Sequence, residues 1–115
     1  MPINSKYVFV VSMDVDAAKE ALFNEVYDTE HVPLICKVPG VRGASRFKGE
    51  DFRMQLGGKT EAKTHTGARY TTIYEIDSPA VLMSKEWAES AEQGRWPSQV
   101  RPFTKNRSHA IYKVL

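Results

Sequence analysis

Four strand-like runs interrupted by two helical stretches leave this chain few ways to fold. Residues 6–13 (KYVFVVSM) are dense in Val, Phe and Tyr and predict a buried strand. Residues 41–48 (VRGASRFK), 68–77 (ARYTTIYEID) and 107–115 (RSHAIYKVL) predict three more. After the first strand, Ala18, Leu22, Val26 and Tyr27 recur at spacings of three to four, with Lys19, Glu20, Asn24 and Glu25 on other faces, which is the pattern of an amphipathic helix. Asp14 and Asp16 suit its first turn, where carboxylates meet unpaired amides and the positive dipole end. Pro33 marks where it bends or stops, and residues 32–36 add a further turn before Pro39-Gly40. Ser78-Pro79 opens the second helix with serine as N-cap and proline at the first helical position. Ser84 is placed to restart this helix after a break, and Gly94 closes it. Residues 50–67 predict a long polar excursion with a partial hairpin around Gly57-Gly58-Lys59-Thr60. Gly49 to Gly67 is expected to be the most mobile internal segment, or mobile only at its tip if it extends the second and third strands into a long hairpin that embraces the partner subunit.

The order β-α-β-β-α-β predicts an α+β, ferredoxin-like domain: an antiparallel four-stranded sheet with both helices on one face. The opposite sheet face then carries apolar residues that a monomer leaves in water, so a homodimer pairing two sheets about a two-fold axis is expected.

With 115 residues, the chain is expected to be one domain spanning positions 1–115. No apolar run approaches the roughly 18 residues of a membrane span, so no membrane partner is expected. The first apolar run is too short and too tyrosine-rich for a signal peptide. Sixteen basic and fourteen acidic residues are interspersed, without the clustered basic footprint of nucleic-acid binding, so no nucleic-acid partner is expected. Cys36 is the only cysteine, which fits a reducing, cytoplasmic setting; near a helix end it reads as a small buried apolar residue. The three histidines are far apart, and no His-x-His, Cys-x-x-Cys or His-Glu-x-x-His spacing occurs, so no metal or other cofactor is expected. Gly57-Gly58-Lys59-Thr60 lacks the first glycine of the phosphate-loop spacing.

The run Tyr27-Asp28-Thr29-Glu30-His31-Val32-Pro33, followed by Pro39-Gly40-Val41, resembles the dimeric α+β barrel superfamily, and within it the EthD-like proteins. In these a helix ends in a (Tyr/Trp)-x-x-x-His run and a Pro-Gly-Val turn opens the second strand. Tyr74-Glu75-Ile76-Asp77-Ser78-Pro79 is similar to the strand-to-helix junction of that group. The resemblance covers most of the chain in element order. It implies a modest pocket between sheet and helices. Relatives include cofactor-free monooxygenases of aromatic polyketides, muconolactone isomerases, and ring-closing or dehydrating enzymes. Among these the resemblance does not choose, because fold does not fix function.

His31 is the leading catalytic candidate. On a helix it shares a face with Tyr27 and Asp28. The helix C-terminus favours its charged form. Two roles fit: proton transfer near neutral pH, or capping of helix carbonyls. The ring is expected at the rim of the pocket, with Asp28 or a helix carbonyl orienting one nitrogen. Arg46 is placed either to steady negative charge in the pocket or to pair with Glu75 on the outer face. Tyr70 and Tyr74 share one strand face, where they pack a core or line a pocket. Tyr27, Tyr70, Tyr74 and Trp96 are the expected pocket walls. His109 is expected to be a satisfied buried group or a dimer contact, and His65 to be solvated. The function expected is a small cofactor-independent enzyme moving a proton on an aromatic or cyclic carbonyl compound through His31, of monooxygenase, isomerase or cyclase/dehydratase type. The alternative is a non-catalytic dimer that binds a small aromatic ligand or accompanies a larger enzyme.

Overall fold

Period-two burial along two central strands fixes where the helices sit. The computed structural model of the chain describes residues 3–115. Strands β1 (Tyr7–Val15), β2 (Val41–Lys48), β5 (Tyr70–Ile76) and β6 (Thr104–Lys113) form one antiparallel sheet in the order β2-β5-β1-β6. Tyr70, Thr72, Tyr74 and Ile76 are buried while their alternating neighbours are only half-buried. In β1 the buried residues are Val11 and Met13, in register with Thr72 and Tyr70. This face meets the helices. The expected ferredoxin-like α+β fold is therefore present.

The first helical layer is one rod with a defect. Ala17–Lys19 is a 3₁₀ turn, α1 is Glu20–Val26, residues Tyr27–His31 form a π turn, and α2 is Val32–Ile35. Asp14 lies in β1, not in a helical first turn, and Asp16 caps no amide with its side chain. Pro33 does not end the helix. Its missing N–H and its ring disrupt an α ladder, and the π turn just before it absorbs that mismatch. The buried stripe runs through Phe23, Val26, Tyr27, His31 and Ile35, whereas Ala18 is exposed. Burying each large apolar member contributes about 1.5–3 kcal/mol.

The second layer is broken more often. Pro79–Met83 is a 3₁₀ turn; Ser84 then caps α3 (Lys85–Ser90) by accepting from the Trp87 amide at 3.1 Å. This is the restart expected at Ser84. A second π turn, Trp96–Val100, and a 3₁₀ turn, Arg101–Phe103, lead into β6. That strand begins at Thr104, three residues before the sequence pattern places it, because a bulge interrupts the pattern: Asn106 has φ +55° and the β1–β6 register shifts between Ser12 and Asp14.

Residues of the excursion form a separate two-stranded ribbon, β3 (Phe52–Leu56) and β4 (Lys59–Lys63). Gly57 and Gly58, both at positive φ, make the two-residue turn that suits a hairpin. His65 is not simply solvated: its ring packs over Gly49, its Nε2 lies 2.8 Å from the Ala68 carbonyl, and its amide donates to Asp51. It pins the root of the ribbon. Among the described residues, no helix is long and apolar enough to cross a membrane.

Candidate functional site

A cavity of about 440 Å³ opens between the sheet and the helical layer. Its helical wall comes from the two π turns, which bring Tyr27, His31 and Trp96 together. The His31 ring stacks on Trp96 at 4.5 Å and 24°, and stands edge-on to Tyr27 at 5.1 Å. Its strand wall comes from Phe9, Val11 and Met13 of β1, Tyr74 of β5, and Arg107 and His109 of β6. Trp87 of α3 closes one end, edge-on to both Phe9 and Tyr74.

The stack is held from outside the cavity. Glu30, next to His31, accepts from the Arg95 amide at 3.0 Å and from its guanidinium at 2.5 Å. Arg95 is next to Trp96, so this pair ties the two π turns together one residue away from the stacked rings. The contact holds the Glu30 carboxyl below the usual carboxylate range. Gly94, at φ +72°, lets the chain pass Glu30; an added Cβ would lie 2.7 Å from its Oε1.

His31 is deeper than the rim position expected for it, at 8% exposure. Burial, and secondarily the Arg101 guanidinium, lower its pKa to about 4, with Glu92 opposing. The C-terminal dipole expected to favour imidazolium does not act here, because the helical rod runs on past His31 to Ile35 and leaves desolvation dominant. At neutral pH the ring is uncharged. Among the described residues Nδ1 is buried with no hydrogen-bond partner, so neither Asp28 nor a helix carbonyl orients it. Asp28 is engaged elsewhere, by Arg46 at 2.8 Å.

Arg46 is on the helix side of the sheet, not the outer face, and does not pair with Glu75. It donates to Asp28 and Asn24 and lies 4.4 Å over the Tyr27 ring. It braces Tyr27 from behind and does not line the cavity. Tyr70 is also outside: its hydroxyl donates to Glu20 at 2.6 Å and its ring packs on Phe23. Tyr74 does line the cavity. Burial first, and then neighbouring Tyr27, push its hydroxyl well above the ordinary tyrosine value, so it stays a protonated donor.

His109 is exposed, not buried, and stacks with Phe9 at 5.9 Å on the wall opposite His31. Arg101 and Arg107 complete the polar lining, and sequence reasoning passed over both. Arg101 is held by Glu92 at 2.9 Å and by the Ala91 carbonyl. The one signal for Arg107 was its two-residue spacing from His109, which a strand converts into a shared face. Cys36, the C-cap of α2, is half-buried, and burial raises its thiol pKa, so it is not primed as a nucleophile. Among the described residues, no three His, Cys, Asp or Glu side chains converge as a metal site.

An antiparallel ferredoxin-like sheet with an aromatic cavity on its helix side defines a small α+β protein built around a ligand-sized space. Solved structures share that fold. An EthD family protein from Bacillus halodurans matches with a TM-score of 0.56 at 17% identity, covering 95% of this chain and 99% of that one. The heme-degrader MhuD from Mycobacterium tuberculosis, with two hemes bound in its active site, matches with a TM-score of 0.61 at 14% identity, covering 95% of each chain. An arginine-to-serine mutant of MhuD with two manganese protoporphyrin IX bound per active site gives 0.63 at 14% identity, covering 95% of this chain and 94% of that one. The fold implied by the EthD-like resemblance is thus the fold of an EthD family structure. No protein-family profile and no curated protein matches the chain.

Proposed function

We propose that the chain works as a single-domain homodimer that binds a flat aromatic or cyclic carbonyl compound in this cavity and moves a proton through His31 without a cofactor. The observation that carries this reading is the buried, uncharged imidazole with a partnerless nitrogen in an aromatic wall. Leaving such an atom unsatisfied costs about 1–3 kcal/mol, and native chains keep few such atoms. A volume of about 440 Å³ falls in the ordinary range for small-molecule sites.

Phe9, Tyr27, Trp87 and Trp96 sandwich a flat ring. His31 accepts a proton from carbon beside the carbonyl, and the protonated Tyr74 hydroxyl donates toward the oxygen on which charge develops. An imidazole with a pKa of about 4 is a weak base in the empty cavity. The negative charge that grows on the substrate is what stabilises the imidazolium being formed. That same low basicity favours the second reading, a protein that binds such a ligand and leaves it unchanged.

Dimerisation is supported by the outer sheet face, where Val10 lies between Ile73 and Ala110, and Val8 beside Tyr112. Phe47 and Tyr112 on this face are 50% and 58% exposed. Sedimentation at micromolar concentration should give a dimer; a pure monomer removes this part. A cytoplasmic setting suits the lone thiol of Cys36.

The test uses 2-tetralone, a ring-fused ketone with exchangeable α-protons, in D₂O followed by proton NMR. The wild-type protein should accelerate exchange, and His31→Phe should reduce that acceleration by about 10²-fold or more. Binding without acceleration favours the non-catalytic reading. Heme, the ligand of the MhuD structures, is titrated in parallel; stoichiometric binding that depends on His31 would replace the cofactor-free account.

A further inference from the structure

The cavity is charged in one sense only. Its described lining carries two arginines and no carboxylate. Arg101 is already neutralised by Glu92. Arg107 is exposed and has no hydrogen-bond or ion-pair partner among the described residues. An arginine at the edge of five aromatic rings, with nothing to hold, is a ready donor fork for a planar anion.

The backbone is shaped to put it there. On β6, Lys105 is opposite Asp14, whereas Ser108 is opposite Ser12, so the strand gains one residue between them. Asn106 takes up the extra residue at φ +55° and donates from Nδ2 to Asp14 at 2.8 Å. This bulge reverses the side-chain alternation: Lys105 falls outside while Arg107 and His109 face the cavity. A non-glycine residue at positive φ costs energy, and such positions gather where a side chain must be aimed.

We propose that the ligand of this cavity is a flat ring system bearing an anionic group, a carboxylate or a phenolate, with Arg107 holding the charge at the mouth while the ring lies among the aromatic walls. This rests on the reading of the cavity as an aromatic site and names the substrate class within it. His109, stacked on Phe9 beside Arg107, offers a second donor to the same group. An anion held there also lies in the cavity that His31 lines, where it favours the imidazolium needed for proton transfer.

The experiment is calorimetric titration with 2-naphthoate and with its uncharged isostere 2-naphthamide. The wild-type protein should bind the carboxylate about tenfold or more tightly than the amide, as a charge-assisted pair requires. Arg107→Gln should erase that preference by weakening the carboxylate alone, and Arg107→Lys should restore part of it. Raising the salt concentration should weaken 2-naphthoate and leave 2-naphthamide unchanged. Equal affinity for the two probes, or a preference that survives Arg107→Gln, overturns the anion proposal and leaves the aromatic site standing. If neither probe binds, both fall. Proton transfer is not measured here, so loss of the catalytic reading leaves this result intact.

Discussion

The two walls of the cavity are built by opposite means. The helical wall is buried, crowded and uncharged where it matters: His31 and Trp96 are 8% and 4% exposed and stack on one another. The strand wall at β6 is open, with Arg107 and His109 both exposed and a bulge aiming them. Desolvation on one side keeps a titratable ring neutral. Solvent on the other lets a charge persist without a partner. A site that must both recognise an anion and move a proton benefits from keeping those tasks on separate walls, because a cation close to His31 makes it a still weaker base.

The sharpest way to break this contrast is His31→Phe. It keeps a ring against Trp96 and removes the orphaned nitrogen. Proton exchange should fall by about 10²-fold or more. Thermal melting should nevertheless rise by about 4 °C or more, since relieving about 1 kcal/mol moves a domain of this size by that much. A variant that melts lower would show that Nδ1 has a partner in solution.

Acid should act on the helical wall in a known direction. The unfolded chain protonates this histidine near the ordinary histidine value of 6.5, while the folded chain resists until about 4. The stability from keeping His31 neutral is therefore fully present above pH 6.5 and is lost as pH falls from 6.5 to 4. The loss is about 3 kcal/mol. Asp14, Asp77 and Glu92, whose carboxyls are held low, also lose stability in acid. The quantity to measure is accordingly the difference between wild type and His31→Phe in urea unfolding at pH 7 and pH 4. A difference independent of pH would contradict the assignment.

Smaller effects should separate support from contact. Glu30→Gln removes the charge that ties the two π turns, so it should lower the melting temperature and weaken 2-naphthamide as well as 2-naphthoate. Arg107→Gln, on the open wall, should change unfolding stability by no more than about 0.5 kcal/mol. If Arg107→Gln destabilises and Glu30→Gln does not, the division between the walls is wrong.

Much of this was legible in the sequence. The strand runs carry β-branched and aromatic residues, and Ser78-Pro79, Ser84 and Gly57-Gly58 are local signals that tertiary packing did not override. The spacing of Tyr27 and His31 put both on the cavity, and Tyr74 and Trp96 joined them. Arg46 misled because its helix-side neighbours, Asp28 and Asn24, are distant in sequence. Tyr70 shares a face with Tyr74 but stands four residues earlier in the strand, over Phe23 and outside the cavity. The π turns left no mark, since an i→i+5 bond needs no residue type of its own. The bulge at Asn106 hid the start of β6 at Thr104. Burial of His31 depends on the Trp96 turn folding over it, a contact between segments 65 residues apart.

The central claim is that His31 is a neutral imidazole held ready in an apolar wall. It is tested most directly by following the His31 ring resonances by NMR from pH 3 to pH 8 in the ligand-free protein, with His31→Phe identifying the signals. The account predicts a midpoint near 4, well below the 6.5 of a free histidine. A midpoint at or above 6.5 would mean that the ring is solvated or paired with a carboxylate, and it would contradict the account.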